Sequence, residues 1–339
     1  MHAAIAVLKG GTPMPEEILK NIYRLPIPLA GNPLKELNAY LIKGRDRNLL
    51  IDTGFRCESC RTALFQQLAE LGLQPGDVDV LLTHLHSDHS GLCAEAAGEH
   101  GTIYISGQDD FMLQSHLVWE QHWRALCNSM DRQGFSLRAA ENLWGTDASD
   151  PMDPPHDTPH ICLNDGDVLE AGGYRLQAVL TPGHTPGHMC FWMENEGTMF
   201  LGDHVLFDIS PNITAWNGFP DALGVYLQSL QKIQEYPVEL PLPAHRGRGV
   251  LSERVDALIR HHDRRLEETL RILREQPGLN AYELAGKMTW RIRARSWEEF
   301  PLTQKWFAVG ETVAHLEHLV ALGQLSSIEK NGVAYYFTV

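Results

Sequence analysis

The stretch VDVLLTHLHSDHSG, residues 78–91, joins a short apolar run to three histidines and an aspartate. The apolar run follows a Pro-Gly-Asp turn, which predicts a buried strand. On the extended segment after it, side chains two positions apart point the same way, so His84 and His86 can hold one metal ion. After the chain turns, Asp88 and His89 can face a second ion. Each divalent ion needs three or four protein ligands, so this loop cannot complete two sites alone.

Three later strands offer the missing ligands where each strand ends. The segment LTPGH ends at His184, FLGD ends at Asp203, and ELPLPAH ends at His245. Imidazole and carboxylate donors suit divalent metal ions, and all four segments end strands in a similar way. Together they predict a metal site whose ligands come from the ends of several strands.

The remaining pattern predicts an α/β architecture. Strands are predicted at residues 38–44 and 48–54, followed by a helix at 62–71, and strand and helix continue to alternate. Residues 108–144 change to a helical period and lead into a Pro/Asp-rich loop. This insertion is interpreted either as a lid or wall over a pocket or as a packing element.

Composition narrows the function classes. The 339 residues carry a net charge of −15, which opposes close approach to nucleic-acid phosphates or anionic lipid. No apolar run reaches the length of a membrane span, the first residues lack a signal-peptide pattern, and six scattered cysteines do not form a disulfide scaffold. The expected location is the cytoplasm. The pair Cys57 and Cys60, in CESC, fits a redox pair or half of a zinc site, but a structural or incidental role is the preferred interpretation.

The metal-ligand segments resemble those of the metallo-β-lactamase fold hydrolases. The family's T-H-x-H-x-D-H loop corresponds to residues 83–89, its G-H to residues 183–184, its G-D to residues 202–203, and its late histidine to His245. Over residues 25–261 the resemblance implies a four-layer αββα sandwich. It implies a first metal held by His84, His86 and His184, a second held by Asp88, His89 and His245, and Asp203 between them. It also places Asp52 and His188 behind the ligands, where they would orient rather than bind.

The chain changes character after residue 261, which divides it into a catalytic domain, 1–261, and a smaller domain, 262–339. The smaller domain is predicted to contain three helices and a hairpin: Asn280 can cap the short second helix, and the NG pair at residues 331–332 indicates the hairpin turn. This order is similar to the winged-helix-like ending of one subgroup of the family. Its ten Lys/Arg and ten Asp/Glu give no net charge, so packing on the catalytic domain is preferred to DNA binding. The cluster RIRAR, residues 291–295, with Trp290 and Trp297, remains a candidate contact for an anionic ligand or single-stranded RNA.

The predicted function is hydrolysis of a small acyl substrate, above all a thioester of the acyl-CoA or acyl-glutathione type. Two metal ions roughly 3.5–4 Å apart would lower the pKa of a shared water and present hydroxide, with Asp88 and Asp203 as catalytic groups. Zinc is the first choice, with iron or manganese as alternatives. Arg246 and Trp216 are candidate substrate contacts, and a homodimer is the default assembly. The alternatives are a metal-dependent ribonuclease and a non-catalytic DNA-binding regulator with a vestigial metal site.

Overall fold

The structure, a computed structural model, describes residues 14–45, 47–136, 152–291 and 294–339. The first of two large sheets contains seven strands in the order β1 to β7. The strands are β1 Glu16–Leu19, β2 Ile22–Pro28, β3 Glu36–Ile42, β4 Asn48–Ile51, β5 Val78–Leu81, β6 Ile103–Ser106 and β7 Ile161–Leu163. The first four run antiparallel, and β4 to β7 run parallel. Strand β5 is buried along its whole length, as parallel central strands usually are.

The second sheet has five strands in the order β12, β11, β10, β9, β8. They are β8 Val168–Ala171, β9 Tyr174–Leu180, β10 Met189–Met193, β11 Thr198–Gly202 and β12 Leu240–Pro243. Strands β8 to β11 form antiparallel pairs, and β12 joins parallel to β11. The parallel join brings the carboxyl ends of β11 and β12 side by side, and these ends carry Asp203 and His245.

Helices cover the outer face of each sheet. Those between β4 and β7 are α1 Glu58–Glu70, α2 Ser87–Ser90, α3 Cys93–Ala97 and α4 His116–Arg132, with a 3-10 turn at Asp110–Met112. The later ones are α5 Ala222–Gln234, α6 Leu251–Glu275, α7 Ala281–Ala285 and α8 Leu302–Ala321. Helices α1 and α3 share an apolar core with the first sheet, and α5 and α6 share one with the second.

A third core lies between the two sheets. Residues of β3 and β4 pack there against β10 and β11, and the rings of Tyr40 and Phe200 meet edge to face at 5.2 Å between centroids. Two sheets with helices outside them give the four layers that the sequence predicted. The mixed α/β architecture is therefore confirmed.

The C-terminal region adds helices α6, α7 and α8 and the hairpin β13 Leu325–Lys330 with β14 Val333–Thr338. The predicted Asn cap is present, because Asn280 and Glu283 form a reciprocal capping box at α7. The predicted Asn-Gly turn is present as well, with positive φ at both Asn331 and Gly332. The order of elements matches the expectation, while the winged-helix assignment remains a prediction.

Helix α6 crosses the position predicted as the domain boundary. It begins at Leu251, because apolar residues recur at helical spacing from Leu251 through Val255 and Leu258, and it continues into the C-terminal core at Leu273. One rigid helix thus belongs to both parts of the chain.

The insertion 108–144 is described as far as Ser136, and its last residues lie outside the described part. Helix α4 packs against the C-terminal region, where the ring centroids of Trp123 and Trp306 lie 5.8 Å apart. The start of the same insertion, at Phe111 and Met112, lies beside the histidine loop. Within the described segments, no helix has the length and apolarity needed to cross a bilayer.

Candidate metal centre

The ligand loop begins where β5 ends and is folded by Asp52 at the end of the neighbouring strand β4. One oxygen of Asp52 accepts the backbone N–H of Thr83 at 2.9 Å, and the other accepts the Thr83 hydroxyl at 2.8 Å. That second oxygen also lies 2.8 Å from Nδ1 of His89. A single buried carboxylate therefore fixes both the entry and the exit of the loop.

Three histidines converge in a first cluster, which we call the three-histidine cluster. Nδ1 of His86 lies 3.0 Å from Nε2 of His84 and 3.0 Å from Nε2 of His184. His84 and His184 are buried, whereas His86 is half-buried. This group is the predicted first metal site, and solvent reaches it from the side of His86.

A second group, the carboxylate cluster, contains Asp88, His89 and His245. Oδ2 of Asp88 lies 3.4 Å from Nε2 of His245 and 3.8 Å from Nε2 of His89. Neither histidine is exposed at all, and Asp88 is 8% exposed. The residues that the sequence predicted for a second ion thus lie together.

Asp203 lies between the two clusters. Its Oδ1 is 3.4 Å from Nε2 of His245 and 3.7 Å from Nε2 of His89, while its Oδ2 is 3.7 Å from Nε2 of His184. The two oxygens of one carboxylate therefore face different clusters, as the predicted bridging position requires.

His188 holds Asp203 from behind. Its Nε2 accepts the backbone N–H of Asp203 at 3.1 Å, and its Nδ1 lies 2.9 Å from the hydroxyl of Thr181. Gly202 must be glycine here, because its φ is +50° and a Cβ would lie 2.6 Å from Nε2 of His188. The position matches the supporting role that the sequence predicted for His188.

Each candidate histidine except His86 uses its other ring nitrogen on a fixed partner. His89 faces Asp52, His84 faces the Thr83 hydroxyl at 3.0 Å, and backbone carbonyls of Asn212 and Glu36 lie 2.7 Å from Nδ1 of His184 and His245. Such partners fix the tautomer and turn the free nitrogen toward the centre.

The free atoms at the centre fit divalent metal ions. Nε2 of His89 and His245 and one oxygen each of Asp88 and Asp203 are buried without a hydrogen-bond partner. Unpaired buried polar atoms are costly, and four that converge are explained by a bound cation. The donor set of imidazole and carboxylate suits zinc, iron or manganese.

Electrostatics differ between the clusters. Burial, and then the neighbouring imidazoles, hold the pKa of His84 well below its ordinary value and lower the pKa of His86 to about 3. Burial alone would lower the pKa of His89 too, but Asp52, Asp88 and Asp203 raise it well above the ordinary value. The three-histidine cluster therefore offers neutral nitrogens at pH 7, and the carboxylate cluster attracts positive charge.

Sequence reasoning missed Asp109, which joins two ligand loops. This unexposed carboxylate accepts hydrogen bonds from the backbone of Leu85, the backbone of Gly187 and the hydroxyl of Thr185. Burial raises its pKa to about 7, although these donors lower it. Its only sequence signal is its place after β6, at the same sheet edge as the histidine loop.

An apolar wall stands beside the three-histidine cluster. We use this name for the buried side chains Leu85, Phe111 and Met112 with the half-buried Val118, Trp119 and Trp216. Trp216 donates its indole N–H to the carbonyl of His184 at 3.1 Å, and its ring centroid lies 6.1 Å from that of His86. The predicted substrate contact Trp216 is therefore next to the centre.

The other predicted substrate contact, Arg246, does not face the candidate metal centre. Its guanidinium donates to the carbonyl of Pro33 at 3.0 Å, and the residue lines a cavity of about 160 Å³ together with Arg24 and Arg248. A contact with substrate at this position remains a prediction.

The two tryptophans near RIRAR, Trp290 and Trp297, pack against other residues of the protein. Arg265 covers the ring of Trp290 at 4.2 Å, and Trp297 packs against Tyr282 and Phe300. Residues 292 and 293 of that cluster lie outside the described part of the chain. A contact of this cluster with an anionic ligand or RNA remains a prediction.

Known proteins resemble this chain in sequence and structure. The family model described as Metallo-beta-lactamase superfamily matches residues 36–245. A metallo-beta-lactamase family protein from Thermus thermophilus, known from its crystal structure, shares 31% sequence identity with this chain. The two structures superpose with a TM-score of 0.77, and the match covers 95% of this chain and 100% of that one. The resemblance therefore includes the C-terminal region.

Two fungal relatives match over part of their length. The lactamase-like protein adaB of Aspergillus niger is 28% identical over 268 residues, which are 77% of this chain and 66% of that protein. The atrochrysone carboxyl ACP thioesterase of Emericella nidulans is 28% identical over 217 residues, which are 64% of this chain and 53% of that protein. This chain thus spans about half to two thirds of the length of these relatives.

Proposed function

Because this chain belongs to the metallo-beta-lactamase superfamily, we propose that it is a metallo-hydrolase that cleaves a small thioester with an apolar acyl group. The observation that carries the proposal is the apolar wall. Trp216 bonds to the carbonyl of His184 and its ring lies beside that of His86, so an acyl group packed on this wall would lie next to the three-histidine cluster. Burial of an apolar group on such a surface supplies binding energy of roughly 25 cal/mol per Å².

The geometry supports the following set of metal ligands. His84, His86 and His184 would hold one ion, Asp88, His89 and His245 the other, and Asp203 would lie between them; zinc is our proposed metal. When bound, the two ions lower the pKa of a water molecule and stabilise the oxyanion that develops on the carbonyl.

Asp88 is the group that we assign to proton transfer. Burial would raise its pKa, but His89 and His245 lower it below the ordinary carboxyl value, so Asp88 is ionised at neutral pH. A carboxylate in this position can accept a proton from the attacking water.

A thioester suits this set of groups. A thiol has a pKa near 8.5, so a thiolate departs without prior protonation. An alkoxide or amine leaving group would need a separate acid, which the proposal does not require. The fungal relative named as a thioesterase supports this choice of substrate class.

The test is a matched substrate panel. Acyl thioesters and oxygen esters with the same acyl groups, phosphodiesters and single-stranded RNA would be given to one metal-loaded preparation. We expect cleavage of thioesters, increasing with acyl length, and loss of this activity in His84→Ala. Cleavage of RNA alone, or of esters and thioesters at equal rates, would overturn the substrate class.

Two variants of Trp216 test the role of the apolar wall. Trp216→Ala should lower kcat/KM for the longest acyl group by about tenfold or more while leaving short ones less affected. Trp216→Phe loses the same N–H but keeps an aromatic ring, so it should retain the preference for long acyl groups. An equal loss in both variants for every substrate would show that Trp216 only positions His184.

A further inference from the structure

Two cysteines stand in the first turn of helix α1. Cys57 is the N-cap, the residue immediately before the helix, with an extended backbone, and Cys60 is the third residue inside the helix. The Cys57 side chain makes no capping hydrogen bond to the helix, but its sulfur lies close to the Ser59 hydroxyl. By its position, the CESC motif places both cysteines at the positive end of a 13-residue helix.

The two thiols have opposite environments. Cys57 is partly exposed, and the Ser59 hydroxyl lies 3.3 Å from its sulfur. Cys60 is fully buried and donates to the carbonyl of Pro28 at 3.4 Å. Cys57 is therefore accessible to a reagent in solution, and Cys60 is not.

Their acidity differs in the same sense. Burial would raise the pKa of Cys57, but the Ser59 hydroxyl, the backbone N–H groups of Cys60 and Ser59, and the Cys60 thiol lower it below the ordinary value. Burial, and then the neighbouring Cys57, raise the pKa of Cys60 to about 12. An accessible, stabilised thiolate next to a buried thiol is the arrangement of an attacking and a resolving cysteine.

We propose that Cys57 and Cys60 form a redox-active dithiol that exchanges with small-molecule disulfides such as glutathione disulfide. The proposal is independent of the hydrolase substrate. It replaces the structural or incidental role that the sequence favoured for this pair.

The reaction balances in two steps. The Cys57 thiolate attacks one sulfur of the disulfide, so the Cys57–glutathione bond forms, the glutathione S–S bond breaks, and one glutathione thiolate leaves. Cys60 then loses its proton and attacks the sulfur of Cys57, which breaks the mixed disulfide and releases the second glutathione. Two protein thiols are oxidised to one disulfide, and one disulfide is reduced to two thiols.

The pair lies against the segment that supports the metal centre. A Cβ at Gly54 would lie 3.2 Å from Cβ of Cys60, so α1 packs directly on this turn. The preceding residue, Thr53, donates its N–H to the carbonyl of His89 at 2.8 Å. The dithiol thus packs on the turn that follows Asp52 and that holds the end of the ligand loop.

Cys162 provides a matched control, because it is exposed yet unfavourable as a thiolate. Its thiol donates to the carboxylate of Asp110 at 3.4 Å, and burial, followed by this hydrogen bond, raises its pKa. Simple exposure would make Cys162 the faster thiol. The proposal makes Cys57 the faster one.

The experiment treats the purified full chain with glutathione disulfide and maps its cysteines by mass spectrometry. In the wild type we expect a Cys57–Cys60 disulfide, and in Cys60→Ser a mixed disulfide that stays on Cys57. In Cys57→Ser, Cys60 should remain a thiol. Serine is a favourable N-cap residue, and a serine at position 60 can still donate to Pro28, so both variants should fold.

Alkylation rates give a second measurement. In Cys60→Ser at pH 7, Cys57 should react with iodoacetamide at least about tenfold faster than Cys162. Faster modification of Cys162, or a mixed disulfide at Cys57 in the wild type that never closes onto Cys60, would overturn the proposal. Neither measurement depends on hydrolase activity.

Discussion

Among the described residues, buried histidines gather at the sheet edges and again between α6 and α8, and these two groups differ in what surrounds them. At the sheet edges, five histidines and two aspartates turn free atoms toward each other. Between α6 and α8, His262 and His315 are also buried, but Nδ1 of the first lies 3.2 Å from Nε2 of the second. Nδ1 of His315 faces the carbonyl of Glu311 at 2.7 Å, and Nε2 of His262 is buried without a hydrogen-bond partner.

The two groups of histidines differ in the carboxylates near them and in the residues that support them from behind, rather than in the number of histidines. Asp88 and Asp203 bring negative charge into the metal centre, and Asp52 supports it from behind. The carboxylate of Glu311, on the helix that carries His315, lies 3.3 Å from Arg265, so its charge is already compensated. Burial and neighbouring positive charge therefore keep His262 and His315 neutral, and they act as packing residues.

Removal of Asp203 should have the largest effect, because this side chain faces both clusters. We expect Asp203→Ala to abolish turnover and to lower the metal content below the roughly two ions per chain of the wild type. Elemental analysis and a thioester assay on the same preparation measure both. Asp165→Ala, at an exposed carboxylate paired with Lys232, is the control. Full activity with two ions in Asp203→Ala would exclude the bridging position.

Single changes in each cluster should separate them. His184→Ala should lose the ion of the three-histidine cluster, and His245→Ala should lose the ion of the carboxylate cluster, so each variant keeps about one of two ions per chain. Cobalt absorption spectra would distinguish which site remains. If both variants lost both ions, the clusters would not be independent sites. His122→Ala, on the surface of α4, controls for the loss of a histidine.

The support of Asp52 should matter less than a ligand. Asp52→Asn keeps the shape of the side chain but removes the charge that orients His89, so metal affinity or activity should fall by about 10- to 100-fold. Competition with a chelator measures the affinity. Asp79→Asn makes the same chemical change on strand β5, where Asp79 bonds to Arg47 and Thr102, and should leave metal affinity unchanged. Equal affinity in both variants would contradict the role of Asp52.

Much of the centre could be predicted because its ligands follow strand ends with fixed spacing. His84 and His86 are two apart on an extended segment, and Asp203 and His245 follow strands that the fold makes neighbours. Asp109 could not be predicted, because its role depends on contacts between loops that are 76 and 78 positions apart. The carbonyls of Asn212 and Glu36 could not be predicted either, since every residue has one.

In the C-terminal region, too, features that depend on neighbours in sequence could be predicted, and a feature that depends on long-range packing could not. Local signals predicted the Asn280 cap and the Asn331–Gly332 turn, which depend on neighbours in sequence. The start of α6 at Leu251 was missed, because its first turns belong to the catalytic core and their apolar spacing continues without interruption into the second region. Long-range packing, rather than local propensity, decides where that helix begins.

The smallest effect should come from the two packing residues His262 and His315. It is an effect of pH on folding stability, and its sign follows from their burial. Burial, and then nearby histidines and Arg265, hold the pKa of His262 well below its ordinary value. Burial, and then Arg265 and His261, lower the pKa of His315 to about 3. Near pH 7 both are neutral in the folded and unfolded states. As pH falls below about 6.5, the unfolded chain binds protons first, so folding stability is lost with acid, by up to about 1.4 kcal/mol per pH unit for each group.

His315→Gln tests this prediction, because glutamine cannot be protonated. Thermal unfolding from pH 7 to pH 4 should show a shallower loss of Tm in His315→Gln than in the wild type. His122→Gln, on the surface of α4, should keep the wild-type slope. Metal content at pH 7 should be unchanged in both variants, because neither residue belongs to the centre. A slope in His315→Gln as steep as that of the wild type would mean that the acid sensitivity comes from the metal centre, and the two groups of histidines would differ less than their partners indicate.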